Sequence, residues 1–186
     1  MKNSFDLFFG VILLLLLVIP MLFIFIAVRL TSKGSAIYWS RRVGRNNKIF
    51  KMPKFRSMLI DTPVVATHLL DEPSSYLSPI GDFLRRFSLD ELPQLFSVLK
   101  GDMSFVGPRP ALCNQDDLIA LRTERGVDKL LPGITGWAQV NGRDELSVPD
   151  KVALDVEYLN RQSFWFDIKI LYITLLKVVK RDGVSH

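Results

Sequence analysis

The stretch Leu7-Phe8-Phe9-Gly10-Val11-Ile12-Leu13-Leu14-Leu15-Leu16-Leu17-Val18-Ile19-Pro20-Met21-Leu22-Phe23-Ile24-Phe25-Ile26-Ala27-Val28 decides how the rest of the chain is read. It runs 22 residues without a charge, between Asp6 and Arg29. As an unbroken helix rising 1.5 Å per residue it would be about 33 Å long, close to one hydrocarbon core. A cleaved signal peptide has a shorter apolar region of about 7–15 residues, so the segment reads as a membrane element. Pro20 lies past its middle, where it deletes a backbone donor and clashes with the preceding turn. Two paths follow. One is a spanning helix kinked at Pro20, which the residues alone favour because kinked spans are tolerated. The other is a re-entrant hairpin in which Leu7–Ile19 and Met21–Val28 each cross one leaflet.

The charges on either side fix the orientation. Residues 1–60 hold ten basic side chains and one acid, Asp6, for +9; residues 61–186 hold 14 basic and 18 acidic, for −4, and the two sum to the net +5. Nine of the first ten basic residues run from Arg29 to Arg56, directly after the apolar stretch. That block belongs on the anionic, cytoplasmic leaflet, which makes the remainder cytoplasmic. The whole chain has 186 residues, 48% apolar and 23% charged, a composition for one folded domain with a sizeable core and not for disorder. A single cysteine, Cys113, and two distant histidines, His68 and His186, exclude a disulfide framework, a Cys/His zinc site and a Cys/His nucleophile pair. Carboxylates and arginines are left for any chemistry, with or without a hard metal.

Further out, Trp39–Phe50 with Ile49–Met52 predicts one or two short strands turning near Gly44–Asn47. Residues 61–80 read as an irregular loop with one helical turn, and Gly81–Phe87 as a helix. Leu92, Leu95, Phe96 and Leu99 keep helical spacing and stop at Gly101. Gly101–Pro110 reads as a loop, Asp116–Lys129 as a polar helix, Pro132–Gly142 as turn-rich, and Val148–Asn160 and Asp167–Lys180 as two more helices. In the last, Ile168, Leu171, Tyr172, Leu175, Leu176 and Val179 line one face, either buried in the core or lying on a bilayer.

Ser88-Leu89-Asp90-Glu91-Leu92-Pro93-Gln94-Leu95 is the most informative polar segment. Ser88 and Glu91 fit a capping box, while Pro93 allows a later start with Asp90 as N-cap. Either way two carboxylates sit at the positive end of a helix, whose dipole would hold Asp90 ionised as a nucleophile or magnesium ligand. Helix capping alone is the competing explanation. Arg85 and Arg86 precede the pair; Gly107-Pro108-Arg109-Pro110 follows it, with prolines stiffening the presentation of a guanidinium suited to phosphate or, equally, to a structural carboxylate. Gly101-Asp102 and Gly107 suggest an anion-accepting loop. Pro132–Trp137 with Asn141-Gly142-Arg143 combines glycine turns, a second guanidinium and Trp137, which either stacks on a base or packs in the interior. Helix-turn-helix, RNA-binding and zinc patterns are missing, which excludes nucleic acid as a partner.

Taken in order, Lys54–Met58, Ser88–Phe96, Gly101–Pro110, Pro132–Arg143 and Leu154-Asp155-Val156-Glu157-Tyr158 resemble the bacterial sugar transferases, specifically the small monotopic phosphoglycosyl transferases. The resemblance covers nearly the whole chain. It implies an α/β fold: a small, mostly helical cytoplasmic domain with short strands (33–186), anchored by a re-entrant helix-break-helix (1–32, broken at Pro20) and interfacial amphipathic helices. It overturns the spanning path, although Ile19 stands where members often carry a serine. The implied reaction moves a phosphosugar from a UDP-sugar to undecaprenyl phosphate with Mg²⁺, releasing UMP, on the cytoplasmic face of a bacterial inner membrane. Asp90 would be the nucleophile of a ping-pong mechanism and a Mg²⁺ ligand, with Glu91 as its dyad partner. Arg85, Arg109, Lys54, Asp155, Asn141 and Arg143 would bind phosphate or substrate. The implied size class favours N-acetylated, deoxygenated sugars. Two rivals are a one-step transferase with Asp90 only on the metal, and a non-enzymatic membrane scaffold.

Overall fold

The computed structural model describes residues 2–65, 72–142 and 145–180. The apolar stretch lies inside α1 (Lys2–Thr31), one helix about 45 Å long that continues through Pro20 instead of ending there. Gly10, Leu13, Leu17, Met21, Ile24 and Val28 recur every three or four residues and form a single seam against the rest of the protein. Toward the amino end this seam meets Phe105 and Leu99, where a β-carbon on Gly10 would come within 2.9 Å of Leu99 Cδ2. Toward the carboxyl end Met21 and Val28 pack with Ala36, Phe55 and Leu84. The other faces, including Phe8, Leu15, Leu16, Ile19, Phe23 and Leu30, are exposed yet equally apolar. A helix apolar all round needs more cover than one seam provides.

Strands β1 (Ile37–Val43) and β2 (Ile49–Phe55) form the expected hairpin, in register from Ile37↔Phe55 to Val43↔Ile49. Its turn places Asn46 and Asn47 at positive φ, a conformation asparagine tolerates. Helix α2 (Gly81–Arg86) leads through Ser88, at φ 53°, into a 3₁₀ segment Leu89–Gln94 and then α3 (Leu95–Lys100). Gly101, at φ 85° with nothing within 4 Å of a would-be β-carbon, ends α3 by its left-handed backbone.

Three expectations for the middle of the chain are corrected. The loop Gly101–Pro110 contains β3 (Ser104–Val106), and the turn-rich 132–142 segment contains β5 (Gly133–Thr135) and a short α5 (Trp137–Val140). β3 and β5 pair in parallel, Ser104↔Gly133 and Val106↔Thr135. Gly107, Gly133 and Gly136 serve this pairing: a β-carbon on any of them would sit 2.1–2.3 Å from backbone atoms of the facing segment. Between them β4 (Ala111–Leu112) joins the open edge of β1, giving the order β2-β1-β4. The predicted helix 116–129 stops early as α4 (Asp116–Glu124), because Gly126 turns the chain at φ 73° into a 3₁₀ turn at Val127–Lys129. Helices α6 (Val148–Arg161) and α7 (Phe164–Lys180) lie where the periodicity placed them.

The fold is therefore mixed α/β and mostly helical with short strands, as expected. Its main core joins Leu95, Val98, Met103, Phe105, Tyr158 and Ile170. In α7 it is Phe166 and Ile170 that enter this core, whereas Tyr172, Leu175 and Leu176 of the predicted stripe face outward. Two ionic contacts tie the amino end of α1 to the same core. Lys2 Nζ donates to Asp167 Oδ2 (2.7 Å), to Tyr158 Oη (2.7 Å) and to the Val106 carbonyl (2.9 Å), and buried Asp6 accepts from the Phe105 amide (3.3 Å).

Candidate active site

Asp90 and Glu91 lie in the 3₁₀ segment that crosses β2. The capping-box expectation is not met. Ser88 is in the left-handed region and its side chain makes no capping bond; only its carbonyl accepts, from the Glu91 amide at 3.2 Å. A non-glycine residue held there stores strain, and such residues gather at functional sites. Pro93 fits because a 3₁₀ segment asks for fewer amide donors than a helix interior.

Freed from capping, the acidic pair faces a ring of cations. Glu91 Oε1 accepts from Lys54 Nζ at 2.7 Å and from Arg109 Nη2 at 3.2 Å. Lys54 comes from β2, Arg109 from the Pro108–Pro110 turn, and Arg85 from the last turn of α2, with one nitrogen 3.2 Å from Met58 Sδ. Asp90 is 8% exposed. Burial pushes its carboxyl above the ordinary range, and Glu91 adds to that; the positive charges of Lys54, Arg85 and Arg109 pull the other way. The expectation of a dipole-stabilised carboxylate thus gives way to a desolvated one whose ionisation depends on neighbouring cations.

The charge arithmetic identifies a residue that sequence reasoning missed. Arg42, counted there only within the juxtamembrane block, turns inward from β1 beside Arg109 and Glu91. Its Nε donates to Ser40 Oγ (2.9 Å) and its Nη1 to the Pro110 carbonyl (3.2 Å). Burial and the nearby Arg109 lower its pKa to about 10. Strand alternation was the available signal, since it puts Arg41 and Arg42 on opposite faces of β1 and Arg42 on the face of buried Ser40. Among the described residues four cations thus gather around two carboxylates, a grouping that suits a polyanionic ligand.

The other expected site residues lie elsewhere. Asp155, expected at the substrate, is 1% exposed and bound to Arg122, whose Nη2 and Nε donate to Oδ2 at 2.6 and 2.9 Å. Asn141 is exposed and its amide donates to the Trp137 carbonyl (2.7 Å). Arg143 lies outside the described residues. Trp137 packs rather than awaiting a base: its Nε1 donates to Glu157 (2.8 Å), Phe166 lies 5.0 Å away, and Arg161 and Lys169 stand over the ring. Gly107 spends its amide on the Thr135 carbonyl (2.9 Å), so it is no anion loop.

Among the described residues no group of three or more His, Cys, Asp or Glu side chains assembles, so there is no all-protein metal cage. A magnesium ion that keeps its waters and takes one or two carboxylates plus substrate phosphates needs none, and the Asp90–Glu91 pair fits that mode.

An acid dyad in a cationic cradle thus sits in a mixed α/β domain packed against one long apolar helix. The chain belongs to the bacterial sugar transferase family, whose profile matches residues 1–181. It is 40% identical over 189 residues to the undecaprenyl-phosphate glucose phosphotransferase of Komagataeibacter xylinus, covering 96% of this chain and 36% of that protein. It is 40% identical over 186 residues to the UDP-glucose:undecaprenyl-phosphate glucose-1-phosphate transferase of Escherichia coli (strain K12), covering 95% and 40%. It is also 40% identical over 188 residues to the uncharacterized sugar transferase EpsL of Bacillus subtilis (strain 168), covering 100% and 91%. The chain thus spans about two fifths of the first two relatives and nearly all of the third.

Proposed function

We propose that this protein transfers a sugar 1-phosphate from a UDP-sugar to undecaprenyl phosphate, releasing UMP. The carrying observation is the desolvated Asp90 beside Glu91, ringed by Lys54, Arg85, Arg109 and Arg42. Family membership, and the reactions named for the K. xylinus and E. coli relatives, supply the substrate class.

In this reading the cations bind the diphosphate and offset its repulsion from the dyad, and their approach keeps Asp90 ionised despite its burial. A carboxylate oxygen of Asp90 attacks the phosphorus bonded to the sugar. The bond from that phosphorus to the bridging oxygen breaks, and UMP leaves with the electron pair. Undecaprenyl phosphate then attacks the aspartyl phosphosugar through a phosphate oxygen, restoring the Asp90 carboxylate. Two half-reactions suit one soluble and one membrane-bound reactant. Glu91 orients Lys54 and Arg109 and assists proton transfer. Bound through Asp90 and the substrate phosphates, Mg²⁺ would supply further charge neutralisation.

The membrane arrangement we propose is monotopic, with 1–32 as the membrane element, 33–186 as the cytoplasmic domain, and α7 at the interface. Its support is that both ends of α1 contact the same domain: Lys2 reaches Asp167 and Tyr158, and Val28 packs with Ala36 and Leu84. A helix spanning the bilayer would carry one of these ends to the far side. With exposed Cys113 replaced by serine, a Ser4→Cys reporter should react with a membrane-impermeant maleimide from the cytoplasmic side. Labelling only from the periplasmic side would refute the arrangement.

The decisive experiment for the reaction is intact mass after incubation with Mg²⁺ and a panel of UDP-glucose, UDP-galactose and N-acetylated or deoxygenated UDP-sugars, without lipid. A phosphosugar adduct on the Asp90 peptide, absent from Asp90→Asn, is expected. Normal turnover on adding undecaprenyl phosphate with no adduct from any sugar would remove the covalent step and leave Asp90 as a metal ligand.

A further inference from the structure

We infer that Arg122 is a positioning residue for Arg109: held on Asp155, its guanidinium grips the Arg109 carbonyl and so aims the Arg109 side chain at the acid dyad. The inference rests on the phosphosugar-transfer reading above.

One guanidinium makes three bonds in two directions. Nε and Nη2 donate to Asp155 Oδ2 at 2.9 and 2.6 Å, and Nη1 donates to the Arg109 carbonyl at 2.8 Å. Neutralising Asp155 would require only the first two. The third reaches out of the interior to the backbone of the residue whose side chain meets Glu91 at 3.2 Å. Neighbouring carbonyls are held as well. Val106 accepts from Tyr158 Oη (3.2 Å) and Lys2, Pro108 from the Gly133 amide (2.9 Å), and Pro110 from Arg42 (3.2 Å).

Backbone freedom explains why the Arg109 carbonyl matters most. Pro108 and Pro110 each have φ fixed by their rings and no amide to donate. The turn is therefore set by few dihedrals, and the direction of the Arg109 carbonyl reports ψ of the one non-proline residue in it. Fixing that carbonyl fixes where the Arg109 α-carbon sends its side chain. A planar fork can serve a carboxylate and a carbonyl at once, which a lysine ammonium on a flexible stem does less rigidly. Asp155 and Tyr158 stand one turn apart on α6, so this helix holds both ends of the 106–109 segment, one directly and one through Arg122.

The test must separate positioning from folding. The double variant Arg122→Met/Asp155→Leu removes the buried pair without leaving a lone charge, a replacement that often keeps or raises stability. With a wild-type melting temperature, it is expected to lose about ten- to hundredfold in kcat/KM for UMP release, the scale of a slightly misplaced catalytic group. The same change in an Arg109→Ala background should cost less than about twofold, because Arg122 acts through Arg109. Wild-type kcat/KM in the folded double variant would overturn the inference, as would an equal loss with and without Arg109. Should the double variant not fold, Arg122→Lys keeps the charge and is expected to lose at least about tenfold; full activity there overturns the inference equally. UDP affinity by calorimetry, weakened about tenfold in the variants, reads the positioning without turnover. A wild-type protein inactive with every sugar would count against the transfer reading, and unchanged UDP affinity in the variants against the role of Arg122.

Discussion

Two clusters of arginine and carboxylate lie on either side of Arg109, built from the same side chains and put to opposite uses. On the inner side Arg122 and Asp155 match one to one, with Asp155 1% exposed and the guanidinium donating twice to Asp155 and once to the Arg109 carbonyl. On the outer side, among the described residues, Lys54, Arg85, Arg109 and Arg42 gather around Asp90 and Glu91. A sealed, balanced pair has no reason to bind anything and serves as a fixed point. A cluster in which cations crowd an acid dyad is costly to assemble, and under the proposed reaction a phosphate ligand offsets that cost. The difference between structure and function here is therefore one of stoichiometry and access, not residue type.

The largest effect should come from the carboxylate to which the proposed reaction assigns the attack. Asp90→Asn is expected to lower UMP release by about four orders of magnitude or more, as removal of a nucleophile does. Its melting temperature should stay level or rise. The sign follows from linkage: burial raises the folded pKa of Asp90 above its unfolded value. Between those two values the folded protein binds more protons, so stability falls as pH rises through the window and the deficit persists at neutral pH. Asp90→Asn should lose that downward slope. Thermal melts of both proteins from acid to neutral pH, in detergent, test this; a variant markedly less stable than wild type at pH 7 would mean that Asp90 is a structural anchor.

The sealed pair should behave in reverse. Asp155→Ala leaves Arg122 buried without its counter-ion and is expected to cost about 3–5 kcal/mol in denaturant unfolding. A loss of activity with no loss of stability would place Asp155 in the outer cluster, as the sequence first suggested.

That misplacement shows where reading residues in order stops. The apolar periodicity of α1, α6 and α7, the β1–β2 hairpin and the end of α3 at Gly101 were legible because each depends on neighbours within a turn or two. The dyad and the cations Lys54, Arg85 and Arg109 were legible as motif residues. Arg122 and Asp155 are 33 residues apart, and only tertiary packing of α4 against α6 joins them. A local signal did exist. Arg122 follows buried Leu118 by four residues, and Asp155 stands between buried Val152 and Tyr158 at helical spacing. Two opposite charges, each on the inner stripe of its own helix, must find each other or pay the full desolvation penalty. The roles of Gly107, Gly133 and Gly136 were hidden for a similar reason, since close approach between β3 and β5 is invisible until the strands are paired.

A middle-sized effect sharpens the contrast within the outer cluster. Glu91→Gln keeps the shape of the side chain but removes the charge that Lys54 and Arg109 share. A loss of about a hundredfold in kcat is expected, within the usual range for an acid–base or orienting partner. The folded state should tolerate it, because the remaining amide oxygen still accepts a hydrogen bond. Activity within threefold of wild type would reduce Glu91 to a spectator and leave Asp90 to act alone.

The smallest effect concerns a third ionic group, which resembles the sealed pair in form but ties down the long apolar helix α1. Lys2 donates to Asp167, Tyr158 and the Val106 carbonyl, and the single Tyr158 hydroxyl hydrogen has Asp167 Oδ1 (2.7 Å) and the Val106 carbonyl (3.2 Å) within reach. Burial and the adjoining Asp167 carboxylate push the Tyr158 phenol well above its ordinary range, so it remains a donor at any working pH. Without Lys2 the Tyr158 hydroxyl still serves the Asp167 carboxylate, so the buried charge keeps a donor, unlike Arg122 without Asp155. Lys2→Met should cost only about 1.5 kcal/mol, the worth of a charge-assisted bond whose carboxylate stays partnered. Turnover should change less than about threefold, because the Arg122 grip on Arg109 is untouched. The charge reversal Lys2→Glu instead sets a carboxylate against Asp167 and should loosen the amino end of α1, raising the rate of maleimide labelling at a Ser4→Cys reporter. Unchanged labelling in Lys2→Glu would mean that the apolar seam from Gly10 to Val28 holds the helix in place without the ionic contact.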